Sequence, residues 1–219
     1  MGERSGELFY FLGSIGEIRR ENEELLRENN VLKGELAKIA QEKTENVVLR
    51  EQLKLLPKEK FSLVGGFVIG QDSQGMESWI VVDKGGNDGL EVGMPAIVSG
   101  GILIGKVSEV YSNSAKIDLL SNANSVVNAL DVETGARGIV RGEYGLGIVL
   151  DMVNQSESLQ EGDVLVSSGL GGNVPRGLYI GKIKELQGTR DRLFQGAVVV
   201  PGVKYSKLDI VFIIKSGQY

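Results

Sequence analysis

The chain has no cysteine and no histidine in 219 residues. Without thiols there are no disulfides, no thiolate zinc ligands and no cysteine nucleophile. Without imidazole the commonest general base and the commonest metal ligand are missing, and every Ser-His-Asp or Cys-His arrangement goes with them. No catalytic residue, metal site or cofactor is expected. Proline is scarce, at 4 residues, and aromatic side chains make up 6 %. Long apolar runs are missing too. The longest early one, Leu8 to Leu12, falls far short of the roughly 20 residues that cross a bilayer, and no signal peptide is visible. Nor is there an excess of positive charge. The net charge is −5, and neither the first 60 residues (11 basic, 12 acidic) nor the remainder (13 and 17) is basic. A nucleic-acid footprint is therefore absent.

What is abundant is glycine, at 31 residues, and apolar side chains, at 42 %. Glycine supplies the positive φ of tight turns, which suits turn-rich β structure. The first quarter of the chain is different. No proline interrupts Leu8 to Leu56, a segment rich in Glu, Lys, Arg and Leu, all good helix formers. Pro57 ends it.

Within this segment Leu8, Ile15, Asn22, Asn29 and Leu36 recur at one seven-residue spacing, here called a. Phe11, Ile18, Leu25, Leu32 and Ile39 recur at the matching d spacing. A seam sustained over this many heptads predicts a coiled coil. An Asn at a meets its own copy only in a parallel, in-register dimer, where it lowers stability and fixes register. Residues 1–57 are therefore expected to form a parallel dimerising coil, with Glu28 at g and Lys33 at e as a favourable interhelical pair. The motif Glu-Asn-x-x-Leu begins at Glu21, Glu28 and Glu45. Its third copy is displaced by three residues, which puts Asn46 and Leu53 at a and Leu49 and Leu56 at d. Such a stammer, between Ile39 and Asn46, overwinds a supercoil locally. At about 1.5 Å per residue the coil would reach roughly 70 Å. The alternative is a single solvated helix packed on the rest of the chain.

From Phe61 to Lys215 the helical period disappears. About twelve short runs rich in Val, Ile and Leu alternate with Gly, Asn, Asp and Ser clusters, the pattern of a barrel or sandwich. Gly101 to Val107, with Glu109 and Val110, matches Gly177 to Ile183, with Glu185 and Leu186, at a constant offset of 76. Similar lead-ins precede both: Leu90, Gly93 and Ile97-Val98-Ser99, then Leu159, Gly162 and Leu165-Val166-Ser167. A repeat of this length means two copies of one supersecondary unit. The predicted fold is mainly β. A long N-terminal helix is followed by an all-β region, 58–219, of two small barrel-like subdomains of about six strands each, approximately 61–135 and 136–219. Gly105 and Gly181, inside otherwise apolar strands, read as bulges or barrel corners. Trp79, the only tryptophan, reads as a core residue.

Chemistry is sparse. Ser167-Ser168-Gly169 superficially resembles a nucleophile loop but reads as a turn, since no base is at hand. Gly169-Leu170-Gly171-Gly172 lacks the Gly-Lys-Ser/Thr end of a phosphate loop. Asp83, Asp88 and Glu91 sit in a Gly-rich turn without the calcium-loop spacing. Asn154-Gln155-Ser156 is a bare glycosylation sequon. Binding without catalysis remains.

The order of several patches points to one family. They are the repeated Glu-Asn-x-x-Leu and Leu49-Arg50; Trp79, Asp83-Lys84-Gly85, Gly89-Leu90, Gly93-Met94-Pro95, Gly101 to Val107 and Asp118-Leu119-Leu120; and Glu161-Gly162-Asp163, Ser168-Gly169-Leu170, Pro175-Arg176-Gly177 and Gly181-Lys182-Ile183. In this order they resemble the extracytoplasmic part of the bacterial rod shape-determining MreC family. Ser167 stands where Thr is usual and Val174 where Phe is usual. The resemblance implies a scaffold of the cell-elongation machinery on the extracytoplasmic side of the membrane. It also implies a single membrane anchor just before the coil, absent from this chain. The implied partners are MreD, a class B penicillin-binding protein and, indirectly, MreB, together with self-association through the β domains. Two rival classes are an adaptor of a tripartite efflux system and a degenerate chymotrypsin-like protease. The first would need an antiparallel hairpin inside a β domain; the second lacks its histidine.

Overall fold

The computed structural model describes residues 3–52, 61–72, 78–143, 147–171, 174–188 and 193–215, with helix side chains described from 18 to 42. The chain divides into two compact units, Met1–Glu59 and Lys60–Tyr219. The first is one helix, α1 (Glu3–Gln52), unbroken through Gly13, Gly16 and Gly34 and through the stretch where the heptad register shifts. Each glycine costs about 1 kcal/mol against alanine. The surrounding Glu, Lys, Arg and Leu, and the absence of proline, outweigh that. Arg19 and Glu23, four residues apart, form an ion pair of 3.2 Å on its surface.

The second unit contains twelve strands among the described residues. In chain order they are β1 (Ser62–Gln71), β2 (Trp79–Val82), β3 (Pro95–Val98), β4 (Ile102–Val110), β5 (Ala115–Leu119) and β6 (Val126–Asp131). Next come β7 (Arg137–Glu143), β8 (Gly147–Asn154), β9 (Val164–Ser167), β10 (Tyr179–Gly188), β11 (Phe194–Pro201) and β12 (Ile210–Lys215). Burial alternates with period two, as in Ala115, Ile117 and Leu119 of β5 and Val127 and Ala129 of β6. Inward side chains therefore collect on one face, and the sheet closes around them.

It closes twice. One barrel runs β3-β4-β5-β2-β1-β12 and returns to β3 through Phe212 opposite Ile97. The other runs β9-β10-β11-β8-β7-β6 and returns to β9 through Leu130 opposite Val166. All these pairs are antiparallel, and the two orders correspond strand for strand. The boundary expected near residue 135 is corrected by this pairing. β6 belongs to the second barrel, because Val127 and Ala129 lie in its core. The last strand, β12, belongs to the first, because Val211 and Ile213 lie in that core. The second barrel is thus an insertion between β5 and β12, and its first strand matches the first barrel's last.

The repeat extends to individual turns. Gly93 N donates to Val107 O and Gly162 N to Ile183 O, both at 2.8 Å. Glu91 N donates to Met94 Sδ in one barrel and Gln160 N to Asp163 Oδ2 in the other. Gly105 and Gly181 occupy equivalent places beside register shifts. A Cβ there would lie 2.1 Å from Asp118 O and 2.2 Å from Val200 O respectively, so no larger residue fits without moving backbone.

The barrels are not independent. Ile97, Leu103 and Ile214 point outward from the first and join the core cluster of the second. Tyr205 packs against both clusters. A single parallel bridge, Tyr179 to Ile102, links β10 to β4. At roughly 1.5–3 kcal/mol per fully buried Ile or Leu, these three side chains contribute substantially to holding the barrels together.

Candidate interaction surfaces

On α1, every side chain described from 18 to 42 is exposed. That includes Asn22 and Asn29 and the apolar Ile18, Leu25, Leu32, Leu36 and Ile39, which are 49–65 % exposed. Heptad spacing places all seven on one stripe. An apolar stripe flanked by charge and left exposed among the described residues is incomplete as a folded surface. Leu8, Phe11, Ile15, Asn46 and Leu49 lie on the same helix, but their side chains fall outside the described set. Leu53 and Leu56 lie outside the described residues altogether.

A second surface was not legible in the sequence. Strand β1 turns Val64 and Val68 toward the first core and leaves Leu63, Phe67 and Ile69 outside, 50–62 % exposed. Ile69 follows the same alternation, at a bulge where Val68 pairs with Val82 and Gly70 with Val81. Phe67 is held from both sides of its peptide: its N–H donates to Asp83 Oδ1 (2.8 Å) and its C=O accepts from Asp83 N (3.1 Å). Opposite it on β12 lies exposed Ile210. The ring of Phe212 covers Gly65, where a Cβ would sit 3.4 Å away. The result is a rigid apolar strip along β1 and β12. Since each strand is paired on both sides within its barrel, recognition here works through side chains rather than by adding a strand.

Trp79 is corrected by the same alternation. Ile80 and Val82 take the inward positions of β2, so Trp79 lies half-buried on the outside and belongs to neither core. Lys116 Nζ stands 5.6 Å from its ring centroid and 3.2 Å from Glu109 Oε1. Tyr111 donates its hydroxyl to Glu109 Oε2 at 2.6 Å. That bond, then Lys116, holds the Glu109 carboxyl below the usual carboxylate range and raises the Tyr111 phenol.

A cleft of about 280 Å³ opens where the barrels meet. Its polar side chains bind the walls: Lys106 Nζ donates to Val126 O (2.8 Å) and Asn128 Nδ2 to Leu170 O (2.9 Å). Of the two serines of the nucleophile-like loop, Ser168 is half-buried and accepts from Leu170 N at 3.2 Å, and Ser167 is sealed. Ser167 is fully buried; its hydroxyl donates to Pro175 O and accepts from Leu178 N at 2.9 Å. Neither a base nor a substrate can reach it. Pro175 thus serves as a structural acceptor beside β10.

The family model described as "Rod shape-determining protein MreC, barrel core" matches residues 68–215, more than half of the chain. The cell shape-determining protein MreC of Listeria monocytogenes is 29 % identical over 86 % of this chain and 68 % of its own length. The first curated relatives matched are spanned over about 48–68 % of their length. A solved structure of Listeria MreC superposes with a TM-score of 0.79 at 28 % identity, covering 89 % of this chain and 95 % of that one. A complex between a penicillin-binding protein and MreC from Helicobacter pylori superposes with a TM-score of 0.58 at 17 % identity, covering 72 % and 100 %. At that identity it shares the fold.

Proposed function

The chain belongs to the MreC family of rod shape-determining proteins, and from that membership we propose that it is a non-enzymatic, dimeric scaffold for cell-wall synthesis on the extracytoplasmic side of the membrane. The observation that carries the dimer is the bare stripe on α1. Burying Ile18, Leu25, Leu32, Leu36 and Ile39 against a second copy removes it from water, and Asn22 and Asn29 then meet their own copies across a parallel interface. The observation that favours a scaffold over an enzyme is Ser167, whose hydroxyl is consumed by backbone partners.

The barrels carry the contacts to other proteins. The partner proposed is a class B penicillin-binding transpeptidase; the Helicobacter pylori MreC that shares this fold was solved in a complex with a penicillin-binding protein. MreD in the membrane, and MreB through an anchor and a cytoplasmic stub, complete the set. We assign the transpeptidase contact to the strip of Leu63, Phe67 and Ile69. Hot spots are buried aromatic and aliphatic anchors on rigid elements, and Phe67 is clamped by Asp83.

The test is cross-linking in cells of the native source, followed by purification and sedimentation. The parent is expected to be dimeric and to bring the transpeptidase with it. Leu25→Glu with Leu32→Glu should yield a monomer at micromolar concentration. Phe67→Ser with Ile69→Ser should stay dimeric and lose the transpeptidase. A dimeric coil variant would refute the seam, and undiminished recovery with the strip variant would move the contact elsewhere on the barrels.

A further inference from the structure

Two buried carboxyls meet at one mouth of the second barrel. Asp131 closes β6 directly opposite Leu165 of β9. Asp163 lies two residues before Leu165, which puts it diagonally across on the same face. That face is the interior, since Leu165 is fully buried. Asp131 is 1 % exposed and Asp163 8 %. Asp131 Oδ1 accepts from Glu133 N (2.9 Å) and Thr134 N (3.2 Å). Asp163 Oδ2 accepts from Gln160 N (2.8 Å). This leaves Asp131 Oδ2, which is sealed from solvent and has no donor among the described residues.

The surrounding charges do not neutralise the pair. Glu133, in the turn after β6, also faces Asp131: its bond from Val164 N (2.9 Å) first, then its side-chain hydrogen bond with Asp131 and the pull of Lys182 of β10, hold its carboxyl below the usual range. Glu161 in the turn before β9 and Arg137 at the start of β7 are exposed. Two carboxyls are fewer than the oxygen set that a hard divalent cation requires. Like charges this close cannot both stay ionised away from water. Burial first, and the neighbouring Asp163 after it, push Asp131 toward its neutral form against the pull of its two backbone donors.

We propose that Asp131 and Asp163 hold one proton between them at neutral pH, Asp131 donating its hydroxyl to the Asp163 carboxylate, and that this proton clasps the β6–β7 turn to the start of β9. The clasp includes Val132 N donating to Val164 O (2.9 Å) and Gly135 N to Asp131 O (3.0 Å). The clasp has no counterpart in the first barrel, where Met94 takes the place of Asp163. An unfolded Asp ionises near pH 4, whereas the folded pair keeps its proton. Stability of the second barrel is therefore full in mild acid. It falls as pH rises above about 4 and levels off once the pair has ionised.

Asp131→Asn keeps the Oδ1 acceptor and offers Asp163 an N–H that does not titrate. The experiment compares the opening constant of the second barrel in the full-length parent and variant between pH 4 and 9. It is read from amide exchange of β6 and β9 relative to intrinsic rates, alongside a ¹³C-carboxyl titration of the parent. The expected advantage of the variant grows by up to about tenfold per pH unit across the window. The Asp131 carboxyl carbon is expected to titrate above the ordinary aspartate range. A pH-independent difference, or an Asp131 that titrates at or below the ordinary range, overturns the proposal. So does stabilisation of the parent alone by added Mg²⁺ or Ca²⁺, which would mean a bound cation instead of a proton. If the variant does not fold, the titration of the parent decides.

Discussion

Tyr205 sits between the two cores with its ring against both and its hydroxyl buried without a partner among the described residues. Burial pushes the phenol far above its ordinary pKa, so it stays neutral. An unmatched buried hydroxyl costs about 1–3 kcal/mol, while a ring wedged between cores contributes more than that through packing. The two effects separate by substitution. Tyr205→Phe should leave stability unchanged or raise it by about 1 kcal/mol, and Tyr205→Ala should lower it by about 3–5 kcal/mol, both read by urea unfolding. A clear loss with Phe would mean that the hydroxyl has a partner after all. Gly105 and Gly181 pose the opposite problem of no space. Alanine at either position drives a Cβ into a backbone carbonyl of the neighbouring strand, and a cost of about 1–3 kcal/mol is expected from overpacking. Parallel losses at the two positions would follow from their equivalent places in the two barrels.

At the scale of elements, α1 tests whether two asparagines specify the coil. Asn22→Ile with Asn29→Ile removes the polar groups that only a parallel, in-register pair satisfies. It should raise the melting temperature of the full chain while loosening register, because slipped pairings no longer bury an unmatched amide at about 1–3 kcal/mol each. Disulfide cross-linking through Glu7→Cys reads the register: efficient in the parent background, less uniform in the double variant. An Asn-bearing chain that dimerises but does not cross-link there would mean an antiparallel coil or another interface. Elements of this kind were legible because their signals are local. The heptad spacing of Ile18, Leu25 and Leu32 needs no distant contact to be read, and neither do the Val- and Ile-rich runs of β2 and β4. What could not be read was where distant strands pair. Val211 and Ile213 alternate with Ile210 and Phe212 in the same way whichever barrel they enter, so nothing in β12 announces that it closes the first. The bulge at Ile69 comes from a register between strands, and the meeting of Asp131 with Asp163 comes from barrel closure. Both arise from non-local pairing.

For the whole molecule, the interleaving of the barrels makes the chain's end part of its beginning. A stop after Gly202 removes β12 and leaves every strand of the second barrel in place. β12 lies between β1 and β3 in the first barrel and supplies Val211 and Ile213, both fully buried. Without it, and without Leu208 just before it, the first barrel has two bare strand edges facing each other and a core missing three side chains, a loss of about 4–9 kcal/mol in burial alone. That is comparable to the whole stability of a small domain. The second barrel loses Ile214, Phe212 and Tyr205 from its outside and, once the first barrel opens, the cover of Ile97 and Leu103 as well, but it keeps all six of its own strands. Truncation at the C-terminus should therefore unfold the N-terminal barrel. In hydrogen exchange of the truncated chain, β2 and β5 should lose protection, while β7, β8 and β11 should keep most of theirs. The rigid strip should go as well, because Ile210 is removed and β1 is set free, so the shortened chain should remain dimeric through α1 yet recover no transpeptidase. Protection lost in β7 and β8 and retained in β2 and β5 would mean that the barrels are divided in chain order and that β12 does not close the first.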